Sequence, residues 1–126
     1  MKDSNNKLKI QTIIDAIDSG DPTIFGALLT EDSTFRFGNW EQVKGKPAVF
    51  EAQTNFFASV KSTKHKILRT WENEGSIVVD MMVTYVRHDD STITLPVADI
   101  FEIKNDKITA TTIFMDVNPL YNPSTD

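Results

Sequence analysis

Ile93-Thr94-Leu95-Pro96-Val97-Ala98-Asp99-Ile100-Phe101-Glu102-Ile103 is the run that orders the rest of the chain. Successive side chains of a β-strand point to opposite faces, so the run sorts into two sets. The odd positions are Ile93, Leu95, Val97, Asp99, Phe101 and Ile103; the even ones, apart from Ile100, are small or polar, namely Thr94, Pro96, Ala98 and Glu102. One face is apolar and the other mixed, as in a sheet with a single covered face. Asp99 is the misfit on the apolar face. A carboxyl there is either desolvated and protonated, able to donate a hydrogen bond near neutral pH, or held by a specific partner such as a hydroxyl or a backbone amide.

Turn signals at 72–75, 88–91 and 104–106 flank this run and divide the second half into three or four strands, an antiparallel meander. The run 77–86 is apolar on both faces, yet Asp80 shares a set with Met82, Thr84 and Val86, which makes it a second candidate for lining a cavity. Its other set, Ile77, Val79, Met81, Val83 and Tyr85, fits the seam of a homodimer. In the strand starting near Thr63, parity aligns His65 with Ile67, Arg69 and Trp71, placing an imidazole, a guanidinium and an indole on one face.

The first half reads as helices. Ile10, Ile13, Ile14 and Ile17 recur at helical spacing and Gly20 follows as a stop. Asp21-Pro22 then starts a second, shorter helix, the carboxylate capping free N–H groups and the proline sitting where no N–H is needed. A strand over 34–37, with Phe35 and Phe37 on one face, and a further short strand within 40–43 precede Gly45-Lys46-Pro47. From Ala48 to near Lys61 a third helix carries Val49, Ala52, Phe56 and Val60 down one stripe. The sum is an α+β chain whose sheet has one face covered by helices and a pocket between them.

Composition narrows the function. The 126 residues suit one domain, expected over 1–126 with loose ends at 1–6 and 122–126. Thirteen basic residues against 18 acidic ones, a net charge of −5, leave no electrostatic footprint for nucleic acid or an anionic membrane. Cysteine is absent, so a disulfide scaffold, a Cys-ligated metal and a thiol nucleophile are excluded. No apolar run suits a secretory signal or a membrane span, and a cytoplasmic location is expected. The two histidines show no metal-ligand spacing, and the chain has no phosphate loop, G-x-S-x-G elbow or dinucleotide fingerprint, so neither a metal nor a cofactor is expected. Its aromatic residues outnumber what a small core needs, which suggests an apolar ligand cavity.

Several runs, in order and spacing, resemble the nuclear-transport-factor-2-like superfamily and within it the SnoaL-like group. They are Leu29-Thr30-Glu31-Asp32-Ser33-Thr34-Phe35, Gly45-Lys46-Pro47-Ala48-Val49, Val83-Thr84-Tyr85, Leu95-Pro96-Val97-Ala98-Asp99-Ile100-Phe101, Asp106-Lys107-Ile108, Phe114-Met115-Asp116 and Pro119-Leu120. The resemblance implies a cone-shaped barrel, a curved, mainly antiparallel sheet wrapped on three N-terminal helices, forming a homodimer through the sheet's outer face. It implies no single activity. Asp99 stands where the similar ketosteroid isomerases keep a protonated aspartic acid, but Phe37 stands at their aspartate base and Ile13 near their tyrosine, so that reaction is not expected. Limonene-type epoxide hydrolases place Arg and Asp at positions that here hold Asp80, Met82 and Ile113, so that activity is not expected either.

The resulting expectation is a cofactor-free isomerase, cyclase, dehydratase or hydrolase acting on a small hydrophobic, polyketide-, steroid- or terpenoid-like substrate. Asp99 serves as acid or oxyanion stabiliser and His65, oriented by Asp80, as base. Phe35, Phe37, Trp40, Phe57, Met82, Thr84, Leu95, Val97, Ile113 and Met115 are the candidate lining. The alternative is a non-catalytic homodimer that binds a small hydrophobic molecule in the same pocket.

Overall fold

The isoleucine stripe forms α1 (Ile10–Asp18), with Ile13, Ile14 and Ile17 buried, and ends before Gly20 at a φ of 72°. The structure, a computed structural model, describes residues 8–122, so the ends expected to be loose lie outside the described residues except for Asn122. In α2 (Pro22–Gly26) the Asp21 carboxylate accepts from the Thr23 amide at 2.9 Å, the cap its sequence predicts. Then come β1 (Leu29–Phe37), β2 (Val43–Lys44), α3 (Lys46–Ser59), β3 (Ser62–Asn73), β4 (Ser76–Val86), β5 (Thr92–Lys104), β6 (Lys107–Phe114) and a single-turn α4 (Asn118–Tyr121).

The six strands form one sheet in the order β2-β1-β6-β5-β4-β3. The meander β3-β4-β5-β6 is antiparallel throughout, but β1 runs parallel to β6. The sheet is therefore mixed and open. The expected cone-shaped barrel on three helices is not formed: closure requires every strand to have two neighbours, whereas β2 and β3 each pair on one side, and the described residues contain four helices. The edge strand β3 carries exposed Lys64 and Lys66, charges that discourage further pairing.

One sheet face lies under α1, α2 and α3. On β4 the residues Ile77, Val79, Met81, Val83 and Tyr85 are all buried and join the core with Ile13, Phe25, Val49 and Phe101. The homodimer seam expected of that set is thus internal to the chain, because its side chains meet the protein's own helices. Fully burying such a side chain contributes about 1.5–3 kcal/mol, so a one-residue slip that turned this set outward would be strongly resisted. No helix among the described residues is long and apolar enough to cross a membrane.

Candidate active site

On β5 the core-facing set is the one that the alternation predicts, and it brings Asp99 inside. Asp99 pairs with Val79 on β4 and Ile113 on β6, is 1% exposed, and leaves Oδ1 without a hydrogen-bond partner among the described residues. Burial pushes its carboxyl up to about 7, against a weaker opposing pull from His65. Near neutral pH a substantial fraction is a neutral acid able to donate a hydrogen bond. Burial, with Asp99 the next cause, also raises the Tyr85 phenol above its ordinary range, and this hydroxyl donates to Met115 Sδ at 3.4 Å.

His65 faces the same side of the sheet, opposite Val83 on β4, and its side chain is 7% exposed. The carboxylate it meets is Asp18, at the C-terminal end of α1. Asp18 Oδ1 lies 2.5 Å from His65 Nδ1 and accepts from the Thr63 hydroxyl at 2.9 Å, while Oδ2 accepts from the His65 amide at 3.0 Å. Burial pushes the Asp18 carboxyl up, but the bonds and charge from His65 and the Thr63 hydroxyl outweigh it and hold the group below its ordinary value. An ionised Asp18 keeps the ring proton on Nδ1 and leaves Nε2 as the basic nitrogen. Sequence reading missed Asp18, although the signal was present: it stands one helical turn beyond Ile14, on the buried stripe.

Asp80 is elsewhere. It pairs with Ala98 and Arg69 on the outer face, is 28% exposed, and accepts from Arg69 Nε at 3.1 Å and Nη2 at 2.7 Å. The expected orientation of His65 by Asp80 therefore gives way to Asp18. The expected grouping of His65 with Arg69 and Trp71 fails for a related reason. A β-bulge between Ile67 and Arg69 reverses the facing of everything after it, so Ile67 points into the core while Arg69 and Trp71 point outward, with the Arg69 guanidinium 5.3 Å from the Trp71 ring centroid. Met82 and Thr84 share the outer face with Asp80, and Thr84 bonds Thr94 at 2.9 Å.

Between β1, β2 and α3 lies a cavity of about 190 Å³ walled by Phe35, Phe37, Trp40, Val43, Ala52 and Phe56, with Glu41 and Asn55 as its polar members. Of the candidate lining residues, Phe35, Phe37 and Trp40 stand in this wall. Phe57, Leu95, Val97 and Ile113 pack in or against the core, and Met115 lines a more open cleft of about 580 Å³ that also includes Trp40 and Tyr121. Neither space includes Asp99 or His65 in its lining. What links them is a row of rings, Phe37 to Phe56 at 4.9 Å and Phe56 to Tyr85 at 6.3 Å between centroids, running from the cavity toward the acidic interior. No group of three or more His, Asp or Glu among the described residues is placed to hold a metal ion.

With the open mixed sheet, the apolar cavity and the buried acid in place, residues 10–111 match the model of the SnoaL-like domain. The chain belongs to the SnoaL-like domain family. Solved structures agree with this SnoaL-like fold. An NTF2-like protein from Anabaena variabilis is 23% identical, with 92% of this chain and 93% of that one covered at a TM-score of 0.79. A proposed polyketide cyclase from Xanthomonas campestris is 19% identical over 88% and 90% of the two chains, TM-score 0.79. An LEH-like epoxide hydrolase from M. tuberculosis is 16% identical over 86% and 80%, TM-score 0.73. At these identities the likeness is one of fold. No curated protein matches the SnoaL-like chain significantly.

Proposed function

We propose that this SnoaL-like protein is a cofactor-free acid/base enzyme, an isomerase, cyclase, dehydratase or hydrolase acting on a small hydrophobic molecule of polyketide-, steroid- or terpenoid-like chemistry. The observation that carries the reading is the shared face: a buried, unpaired Asp99 and a buried His65 whose Nδ1 is taken by Asp18. In this mechanism Asp18 fixes the ring tautomer, His65 Nε2 accepts a proton from a carbon next to a carbonyl, and the Asp99 carboxyl donates to the oxygen on which negative charge develops. Asp80, bonded to Arg69 on the far face, takes no part. The substrate's ring enters by the cavity beside Phe37 and Phe56, and a volume of about 190 Å³ suits a one-ring compound before any rearrangement of the wall. The likeness of fold to a proposed polyketide cyclase and to an LEH-like epoxide hydrolase adds weight to chemistry on molecules of this kind.

The test is uptake of deuterium at the α-carbon of cyclohexanone in heavy water, followed by proton NMR. Wild-type protein accelerates uptake over buffer, and His65→Gln and Asp99→Asn each reduce it by about 100-fold or more. Uptake no faster than in buffer, or an Asp99→Asn variant as fast as wild type, would overturn the reading.

A second reading keeps the cavity for binding alone, favoured by the absence of Asp99 and His65 from its lining. In that reading the protein is a homodimer joined through the outer sheet face, where Leu68, Trp71 and Phe114 are exposed. Sedimentation equilibrium at micromolar concentration tests it, and a monomer there would count against it.

A further inference from the structure

Half of the residues that line the cavity between β1, β2 and α3 are aromatic: Phe35, Phe37, Trp40 and Phe56. Their planes are inclined to one another. Trp40 meets Phe37 at 5.1 Å and 70°, and Phe56 meets Phe37 at 4.9 Å and 54°, so the rings wall the space from several sides in place of a flat stack. Phe35 and Phe37 are buried, whereas Trp40 is 49% exposed and is shared between this cavity and the open cleft. Tyr121, 6.0 Å from Trp40 and 18° from parallel, backs the indole and holds it upright between the two spaces.

The charge of the lining points the same way. Among the described residues its one ionisable member is the exposed Glu41, next to Trp40 in the connection from β1 to β2, and no lysine, arginine or histidine stands in the wall. The other polar member is the amide of Asn55 on α3. An aromatic ring carries negative potential on its faces, so inclined rings around a small space favour a cation, and a carboxylate at the mouth adds to the attraction. A neutral apolar guest would gain from these walls by burial alone and would gain nothing from Glu41. Among cations the walls favour one that gives up water cheaply. A quaternary ammonium spreads its charge over methyl groups and has no N–H to leave unpaired, whereas a primary ammonium would lose hydrogen bonds against the rings. A volume of about 190 Å³ admits a trimethylammonium head.

We propose that this cavity is an aromatic cage for a small quaternary alkylammonium group, with Trp40 as its solvent-side wall and Glu41 as the counter-charge at its mouth. The cage goes beyond the acid/base reading and does not depend on it. The two share a space, but neither Asp99 nor His65 lines the cavity, and holding the ammonium requires no proton transfer.

The experiment titrates choline and 3,3-dimethyl-1-butanol, the same shape with carbon in place of nitrogen, into the ¹⁵N-labelled full chain and follows amide and indole N–H shifts. Wild type binds choline about tenfold or more tightly than the alcohol, with shifts centred on Phe37, Trp40 and Glu41. Trp40→Leu keeps an apolar wall without the ring and lowers the choline-to-alcohol ratio by about fivefold or more, while Trp40→Phe keeps a ring and retains most of it. Glu41→Gln lowers the ratio by about threefold, and His65→Gln leaves it as in wild type. A wild-type ratio near one, a ratio unmoved by Trp40→Leu or by Glu41→Gln, a ratio that falls in His65→Gln, shifts remote from Trp40, or no binding of choline would overturn the proposal. If Trp40→Leu does not fold, Glu41→Gln, at an exposed position, carries the test. The ketone exchange assay is read separately: choline binding with no exchange overturns the chemistry and leaves the cage, and exchange with no choline binding does the reverse.

Discussion

Asp18 and His65, from the end of the first helix and the start of the third strand, are joined twice, through ring nitrogen and through backbone amide. This joint fixes α1 to the edge strand β3 as well as setting the imidazole. Asp18→Ala should lower stability by about 2 kcal/mol, because it strands a buried amide and a ring N–H together. Asp18→Asn should retain part of that stability and lose the tautomer control. Chemical denaturation of both variants, beside their ketone exchange rates, checks the separation.

Asp99 gives a pH signature. Its folded carboxyl lies near 7 and its ordinary value is 3.8, so between these limits the folded protein holds a proton that the unfolded chain has released. Stability therefore falls as pH rises through this window, by up to about 1.4 kcal/mol for each unit, and levels off above it. Asp99→Asn should abolish the dependence, being near wild type in melting temperature at pH 4 and above it at pH 8. A wild-type profile that stays flat from pH 4 to 7 would contradict the buried, unpaired carboxyl.

Asp80 supplies the contrasting case. Its partner Arg69 is 69% exposed, so solvent screens the pair. Asp80→Asn should change stability by less than about 1 kcal/mol and leave ketone exchange unaltered, which a melting curve and the exchange assay read directly.

Phe56 stands between cavity and core, touching Phe37, Phe57 and Tyr85 through its ring. Phe56→Ala should cost roughly 2–3 kcal/mol, less than a fully enclosed phenylalanine, and should enlarge the cavity toward Tyr85. Binding of a two-ring compound such as naphthalenol, weak in wild type, should improve in this variant; calorimetric titration measures it.

Local signals in the chain were highly legible. The Asp21-Pro22 cap, the Ile10 to Ile17 stripe and the odd-numbered face of 93–103 each depend on neighbours a few residues apart, and each is found in the fold. Legibility stopped where a side chain's surroundings depend on distant residues. One bulge after Ile67 was enough to send Arg69 and Trp71 to the opposite face from His65, and no spacing rule announces a bulge among Lys, Leu and Thr. Asp80 was misread for the complementary reason: both sets of 77–86 are apolar enough to be buried, and only the helices decide which one is. The partnership of Asp18 with His65 spans most of the first half of the chain. The open sheet reflects β2 and β3 each pairing on one side only, a long-range relation that no local run of residues reveals.

The parallel pairing of β1 with β6 governs how the molecule is made. During synthesis on the ribosome, Leu29–Phe37 emerges early but has no long partner until Lys107–Phe114 follows, and its sole earlier neighbour is the two-residue β2. The strands β3, β4 and β5 can zip together through tight turns as they appear, whereas β1 must wait for the chain to be almost complete. A nascent chain therefore passes through a long interval with Leu29, Phe35 and Phe37 uncovered, the state that attracts chaperones and aggregation. Chains stalled or truncated before β6 would be handled by the cell as unfinished, however well their meander had formed.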